Sequence, residues 1–374
     1  MKFRLFCAAL AIGTLIVPGR RGSAQEQFPY QIFERYLGPL AQQIGMPGLS
    51  AVIIQGGVAG TPGRIAWKGE YGYADLERKI PATIDTPYPV GGVTQALTGV
   101  LVGVCIDRRL IDDINNDIRR WTPAFPVTET SVRQVLAHAT GGRFRYDPGL
   151  YSSLTPVVES CTKRSYRQAT AVEILERVTP PMRRSVPGLD LAGPEGAAAL
   201  AQFDAATVAR YQSVLAEVAV PYRIDAKGKA SRTEYPSYGL DAAGGLVSTA
   251  YDLAQFQLAL DNKTVPVPLS FSTLDQMWSN AIFRVNGLDI AMPTGLGWFV
   301  TTESGVRLVW TFGHIQDASS ALIVKMLPPA NRPDKPSLTL IMLANSGGLA
   351  NGYDLENANV TSSPFVKVFL RLFI

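Results

Sequence analysis

Few side chains in this 374-residue chain stand in patterns that perform chemistry by themselves. Histidine occurs twice, as His138 and His314. They do not flank a glutamate at i, i+4, and no cysteine–histidine cluster accompanies them, so the ligand spacing of a zinc site is missing. A G-x-S-x-G elbow would expose a serine on a strained strand-to-helix turn. Ala344-Asn345-Ser346-Gly347-Gly348 comes nearest and lacks the first glycine. No phosphate loop or dinucleotide fingerprint is present, and Gln55-Gly56-Gly57 falls in an expected hairpin link where glycine serves the turn. No metal and no cofactor is implied. Cys105 and Cys161 are two thiols, the number one bridge needs in an oxidising compartment; two buried small hydrophobes explain them equally well.

The elements that must position any site follow from periodicity. Phe33, Tyr36, Leu37 and Leu40 form a helical stripe that Gly38-Pro39 could kink or shorten. Leu49 to Ile54 and Arg64 to Tyr71 read as a β-hairpin. Buried helices are expected at Leu97–Val104, Ala171–Val178 and Val208–Val218. Strands return at Arg307–Thr311, Ser320–Met326 and Leu338–Leu343, and a closing helix at Pro364–Ile374 buries Phe365, Val368, Phe369 and Leu372. Such an order suits a sheet layer completed by both chain ends around an inserted helical region.

Composition narrows the partners. The formal charge of +4 comes from residues 1–24, which carry Lys2, Arg4, Arg20, Arg21 and no acid; the remainder balances 31 basic against 31 acidic residues. A neutral remainder gives no electrostatic reason to expect nucleic acid. Lys2 and Arg4, the apolar run Leu5–Val17 and small residues Gly22-Ser23-Ala24 resemble a cleavable export signal, with cleavage after Ala24 and a periplasmic or secreted product. Thirteen helical residues reach only about 20 Å, short of the roughly 30 Å hydrocarbon core, and no stable span is expected after signal removal.

Several segments together resemble the serine β-lactamase and penicillin-binding protein family, in the branch of class C β-lactamases, D-alanyl-D-alanine peptidases and esterases. They are "MPGLSAVIIQ" (46–55), "YGYADLERKIPATIDTPY" (71–88), "VRQVLAHATGG" (132–142), "AAGGLVSTAYDLAQF" (242–256), "GLGWFV" (295–300) and "LTLIMLANS" (338–346). The resemblance implies an α/β (α+β) fold of β-lactamase/transpeptidase type. A mixed, mostly antiparallel sheet from residues 25–85 and 295–374 would be flanked by the terminal helices, with 86–294 a mostly helical insertion. It also implies S-x-x-K at a helix start, serine as nucleophile and lysine one turn later as its base. Here Val90-Gly91-Gly92-Val93-Thr94-Gln95 occupies that place, with Gly92 for the serine and Gln95 for the lysine. Glycine has no nucleophile, and an amide carries no proton near neutral pH. Thr94 is the nearest hydroxyl, roughly 200° around the helix from the serine's direction.

The family's Y-x-N aligns with Tyr146, followed by Asp147 and Pro148 in place of the asparagine. Its K-T-G or H-x-G strand aligns with His314, where Gln316 replaces the glycine; His138 matches a structural helix-end position. Gly92, Gln95, Tyr146 and His314 are therefore expected to share one cleft. The expected protein is a catalytically inactive relative that binds a cell-wall peptide, a small acyl ligand or a protein partner. The alternatives are a residual esterase, β-lactamase or peptidase using a non-standard group, and a structural envelope protein. Restoring a serine at Gly92 is expected to cost little stability, because a side chain at a helix start can cap it.

Overall fold

A strand covered on both faces needs apolar residues at nearly every position, and Leu49–Ile54, Leu308–Phe312 and Leu340–Leu343 supply them. The computed structural model of the chain describes residues 24–374 except 59, 238, 263–268, 330 and 333. The export segment expected over 1–24 lies, but for Ala24, outside the described residues. Among those described, no helix is long and apolar enough to cross a membrane.

The chain opens with α1 (Ala24–Ile44), then β1 (Gly48–Gln55), β2 (Arg64–Asp75) and β3 (Ile80–Pro81). The middle contains α2 (Thr94–Asp107), α3 (Thr155–Thr162), α4 (Ala205–Leu215) and α5 (Ala250–Asn262), with shorter turns of helix and small hairpins between them. Strands β4 (Phe299–Glu303), β5 (Val306–Ile315), β6 (Ser319–Met326) and β7 (Leu338–Ala344) follow, and α6 (Pro364–Phe373) closes the chain. The seven strands form one sheet in the order β4-β5-β6-β7-β1-β2-β3, antiparallel at every pairing. Leu49 pairs with Ala344 and Ala51 with Met342, which joins the two ends of the sequence at the sheet centre.

Because side chains alternate across a strand, each face has its own core. Val52, Ile54, Val309, Ile323 and Ile341 face the helical region, whose centre is α2. Ala51, Ile53, Trp310, Leu322 and Met342 face α1 and α6. Phe33 of α1 meets Phe369 of α6 edge-on at 6.1 Å. Helix α1 runs through Pro39 without stopping, but its buried stripe is Phe33, Leu37 and Ala41, and Tyr36 is 58% exposed. Of the expected stripe Phe33 and Leu37 are buried and Leu40 is half-buried against the same core, so Tyr36 alone departs from it.

Helix α2 is buried from Thr94 to Cys105, as a helix apolar all round must be. Cys105 is disulfide-bonded to Cys161 of α3, with Cα atoms 6.1 Å apart, which decides between the two accounts of these thiols. The bridge ties the central helix to the element that follows Tyr146.

Candidate functional site

The start of α2 is held by packing. No side chain caps it, and a short 3₁₀ turn, Gly91–Val93, leads in. Thr94 donates its hydroxyl to the Gly91 carbonyl (2.7 Å) and accepts the Leu246 amide (3.3 Å), fully buried, so it is not presented to the cleft.

Strand β5 crosses this turn closely. Its last pairing with β4 is Trp310 with Phe299, so residues 311–315 project beyond the edge strand. Gly313 lies against the Val90 carbonyl, with no room for a Cβ. Gly92 is enclosed from two sides. A Cβ there would stand 2.6 Å from the Tyr146 hydroxyl and 2.7 Å from the Phe312 carbonyl oxygen. The second atom is backbone and cannot swing away. A serine at Gly92 would thus be overpacked, and the expectation that it costs little is overturned by a strand and a phenol more than fifty positions away in sequence.

Gln95, one turn along α2, is 3% exposed. Its Nε2 donates to the Tyr146 hydroxyl (3.2 Å) and its Oε1 faces His138 Nε2 at 3.0 Å. Since an amide oxygen only accepts, His138 Nε2 carries the proton. The other ring nitrogen, Nδ1, then accepts the Asp147 amide at 3.3 Å. These bonds run in one direction, from the Asp147 amide through His138 and Gln95 to Tyr146, and every member is neutral. Burial pushes the His138 imidazole down to about 3, against a weaker opposing pull from Asp147. Burial likewise drives the Tyr146 phenol far above its ordinary value, with the Gln95 bond a smaller opposing effect. His138 packs on Tyr146 and Tyr151 at ring-centre distances of 4.8 Å each. Nothing in sequence spacing set His138 against Gln95; only the fold does.

The Asp147-Pro148 pair works locally. The Asp147 carboxylate accepts the Leu150 amide (3.0 Å) at the start of the turn Pro148–Tyr151, with proline in its first position, and pairs with Arg145 at 2.8 Å.

Gly92, Tyr146 and His314 open on one cleft of about 560 Å³, with Gln95 directly behind the Tyr146 hydroxyl. His314 stands at the end of β5, its Nε2 accepting the Asp317 amide at 3.4 Å. Gln316 also lines the cleft and holds φ +36°, a backbone region that favours glycine. Two hydroxyls on the wall, Ser152 and Ser237, donate to the Gly149 carbonyl (2.7 Å) and the Glu195 carboxylate (3.2 Å). Among the described residues no group of three or more His, Cys, Asp or Glu gathers to hold a metal.

The family model described as Beta-lactamase matches residues 33–360. A Beta-lactamase of Escherichia coli (strain K12) is 36% identical over 90 residues, 24% of this chain; the chain spans 22% of that relative's length. Among solved structures, the octameric penicillin-binding protein homologue from Pyrococcus abyssi is similar with a TM-score of 0.65 and 18% identity, over 85% of this chain and 74% of that one. The D-amino acid amidase from Ochrobactrum anthropi SV3, solved with L-phenylalanine amide, gives 0.63 and 17%, over 92% of this chain and 99% of that one. At such identities the likeness is one of fold.

Proposed function

The chain belongs to the beta-lactamase family, and from that premise we propose that it is an exported member without acylation chemistry that keeps the cleft as a binding site. The observation that carries this reading is the occupied space at Gly92. Where the family's nucleophile would begin, the Tyr146 hydroxyl and the Phe312 carbonyl already stand within 2.7 Å of any Cβ. The group one turn later is an amide whose two ends are engaged by Tyr146 and a neutral His138, so the place of the family's lysine offers no base. A tyrosine far above its usual range is no substitute nucleophile at neutral pH. The occupant of the cleft is then a bound ligand: a cell-wall peptide, a small acyl compound or the end of a protein partner.

Two measurements test this. Intact mass after incubation with benzylpenicillin or p-nitrophenyl acetate should show no adduct; a covalent adduct on any residue would favour an enzyme with a non-standard group. Peptidoglycan fragments should raise the melting temperature by mass action. No shift with any fragment would favour a structural envelope protein.

A further inference from the structure

The cleft wall has a charge pattern that the motifs do not contain. Asp241 and Glu356 line it, and among the described residues no lysine or arginine does. Asp241 comes from the loop that precedes Val247 and sits half-buried. Its Oδ1 accepts two backbone amides, of Ala243 (2.7 Å) and Gly244 (3.1 Å), which fix the carboxylate on the wall. Among the described residues its Oδ2 has no hydrogen-bond partner. Burial raises this carboxyl above its ordinary value, more than the two amides lower it. Glu356 is exposed, enters from the loop before α6, and acts electrostatically on the Tyr146 phenol across the cleft. Tyr146, Ser152, Ser237 and Gln316 on the same wall carry no charge, and the wall also includes the His314 imidazole at the end of β5. A concave wall with charges of one sign focuses its field into the opening.

We propose that this cleft selects ligands bearing a primary ammonium group, received by Asp241 and Glu356, and disfavours ligands whose only charge is a carboxylate. The proposal rests on the cleft being the binding site, as argued above, and adds the chemical class of what it takes. The ammonium would lie near Asp241 Oδ2, with the rest of the ligand along the open side of β5 past Gly92. A carboxylate brought to the same place would meet two like charges.

Three matched probes separate the terms, each as its D,D and L,L form. Alanyl-alaninamide carries an ammonium alone, N-acetyl-alanyl-alaninamide no charge, and N-acetyl-alanyl-alanine a carboxylate alone. Calorimetric titration of the full chain should rank them in that order, with at least about a tenfold step from the first to the second. The step should shrink as salt rises from low to physiological ionic strength. Asp241→Asn keeps an oxygen for the Ala243 and Gly244 amides, so the loop is retained, and it should lower only the affinity of the ammonium probe. Glu356→Gln, at an exposed position, provides the same test where folding is not in question. Equal or tighter binding of the carboxylate probe, or an unchanged ranking in both variants, overturns the ammonium selectivity while leaving a binding cleft. Failure of all three probes to bind overturns both.

Discussion

The crowding at Gly92 can be tested by a double-mutant cycle with Tyr146. Gly92 does not hold a left-handed φ, so its backbone accepts alanine, and the smaller unfolded ensemble of alanine contributes about 0.4–1 kcal/mol in its favour. Against this stand the two contacts of a Cβ, 2.6 Å to the Tyr146 hydroxyl and 2.7 Å to the Phe312 carbonyl, an overpacking of roughly 1–3 kcal/mol. Gly92→Ala should therefore destabilise despite its helix-start position. Tyr146→Phe removes the acceptor of Gln95 Nε2 and leaves a buried amide donor unpaired, at a cost of about 1–3 kcal/mol. In the double variant the new methyl meets no hydroxyl and occupies the space it vacated, while the Phe312 contact persists. The two changes together should cost less than their sum by about 1 kcal/mol. Urea unfolding with unchanged m-values measures all three differences. Additivity within about 0.3–0.5 kcal/mol, or a stabilised Gly92→Ala, would refute the argument that the phenol fills the nucleophile's place.

Three other outcomes are expected. The unmodified chain should hydrolyse neither nitrocefin nor p-nitrophenyl esters above background, and the Gly92→Ser, Gln95→Lys pair should reach at most weak ester turnover by stopped spectrophotometric assay, because Asp147, Pro148 and Gln316 remain. Cys161→Ala should lower the unfolding free energy by about 4 kcal/mol, the loop-entropy value for cysteines 56 positions apart, read from denaturant midpoints of oxidised protein. Burial pushes the Asp252 carboxyl up to about 6, bonds from Ser185 and Arg184 opposing, so between about pH 4 and 6 the folded chain binds the proton first. Its contribution is therefore present in acid and falls as pH rises through that window. His138, held near 3, has the opposite sign and loses stability as pH falls below about 6.5. Asp252→Asn removes the offset, and unfolding free energy should then drop more steeply from pH 6 to 4 than in wild type.

How much could be read in advance differs sharply between sheet and site. β1 and β7 announce themselves because both of their faces are covered, which forces apolar runs at Leu49–Ile54, broken only by Ser50, and Leu340–Leu343. The same logic finds Phe365 and Phe369 in α6. It fails at Tyr36, where two adjacent apolar residues compete for one face and only the partner helix decides. At the site, residue types told what Gly92 and Gln95 cannot do. They could not tell what fills the space instead, since Tyr146 and Phe312 arrive from segments far from Gly92 and from each other. Asp241 carried no signal either: an aspartate near glycines is an ordinary turn residue until the fold puts it on the same cleft as Glu356.

The pairing of Leu49 with Ala344 has a consequence for how the chain is made. β1 emerges early in synthesis, yet one of its edges waits for β7, nearly the whole chain later. Until then the backbone edge of β1 that β7 will occupy has no strand partner, and β6 lacks its inner neighbour as well. Contacts of such sequence separation close slowly and leave sticky edges exposed meanwhile. A stop codon between Met326 and Leu338 would therefore yield no smaller folded unit. It would yield a hairpin and an orphaned three-stranded sheet, β4 to β6, each offering an open strand to its neighbours, and aggregation rather than partial function is the fate of that product.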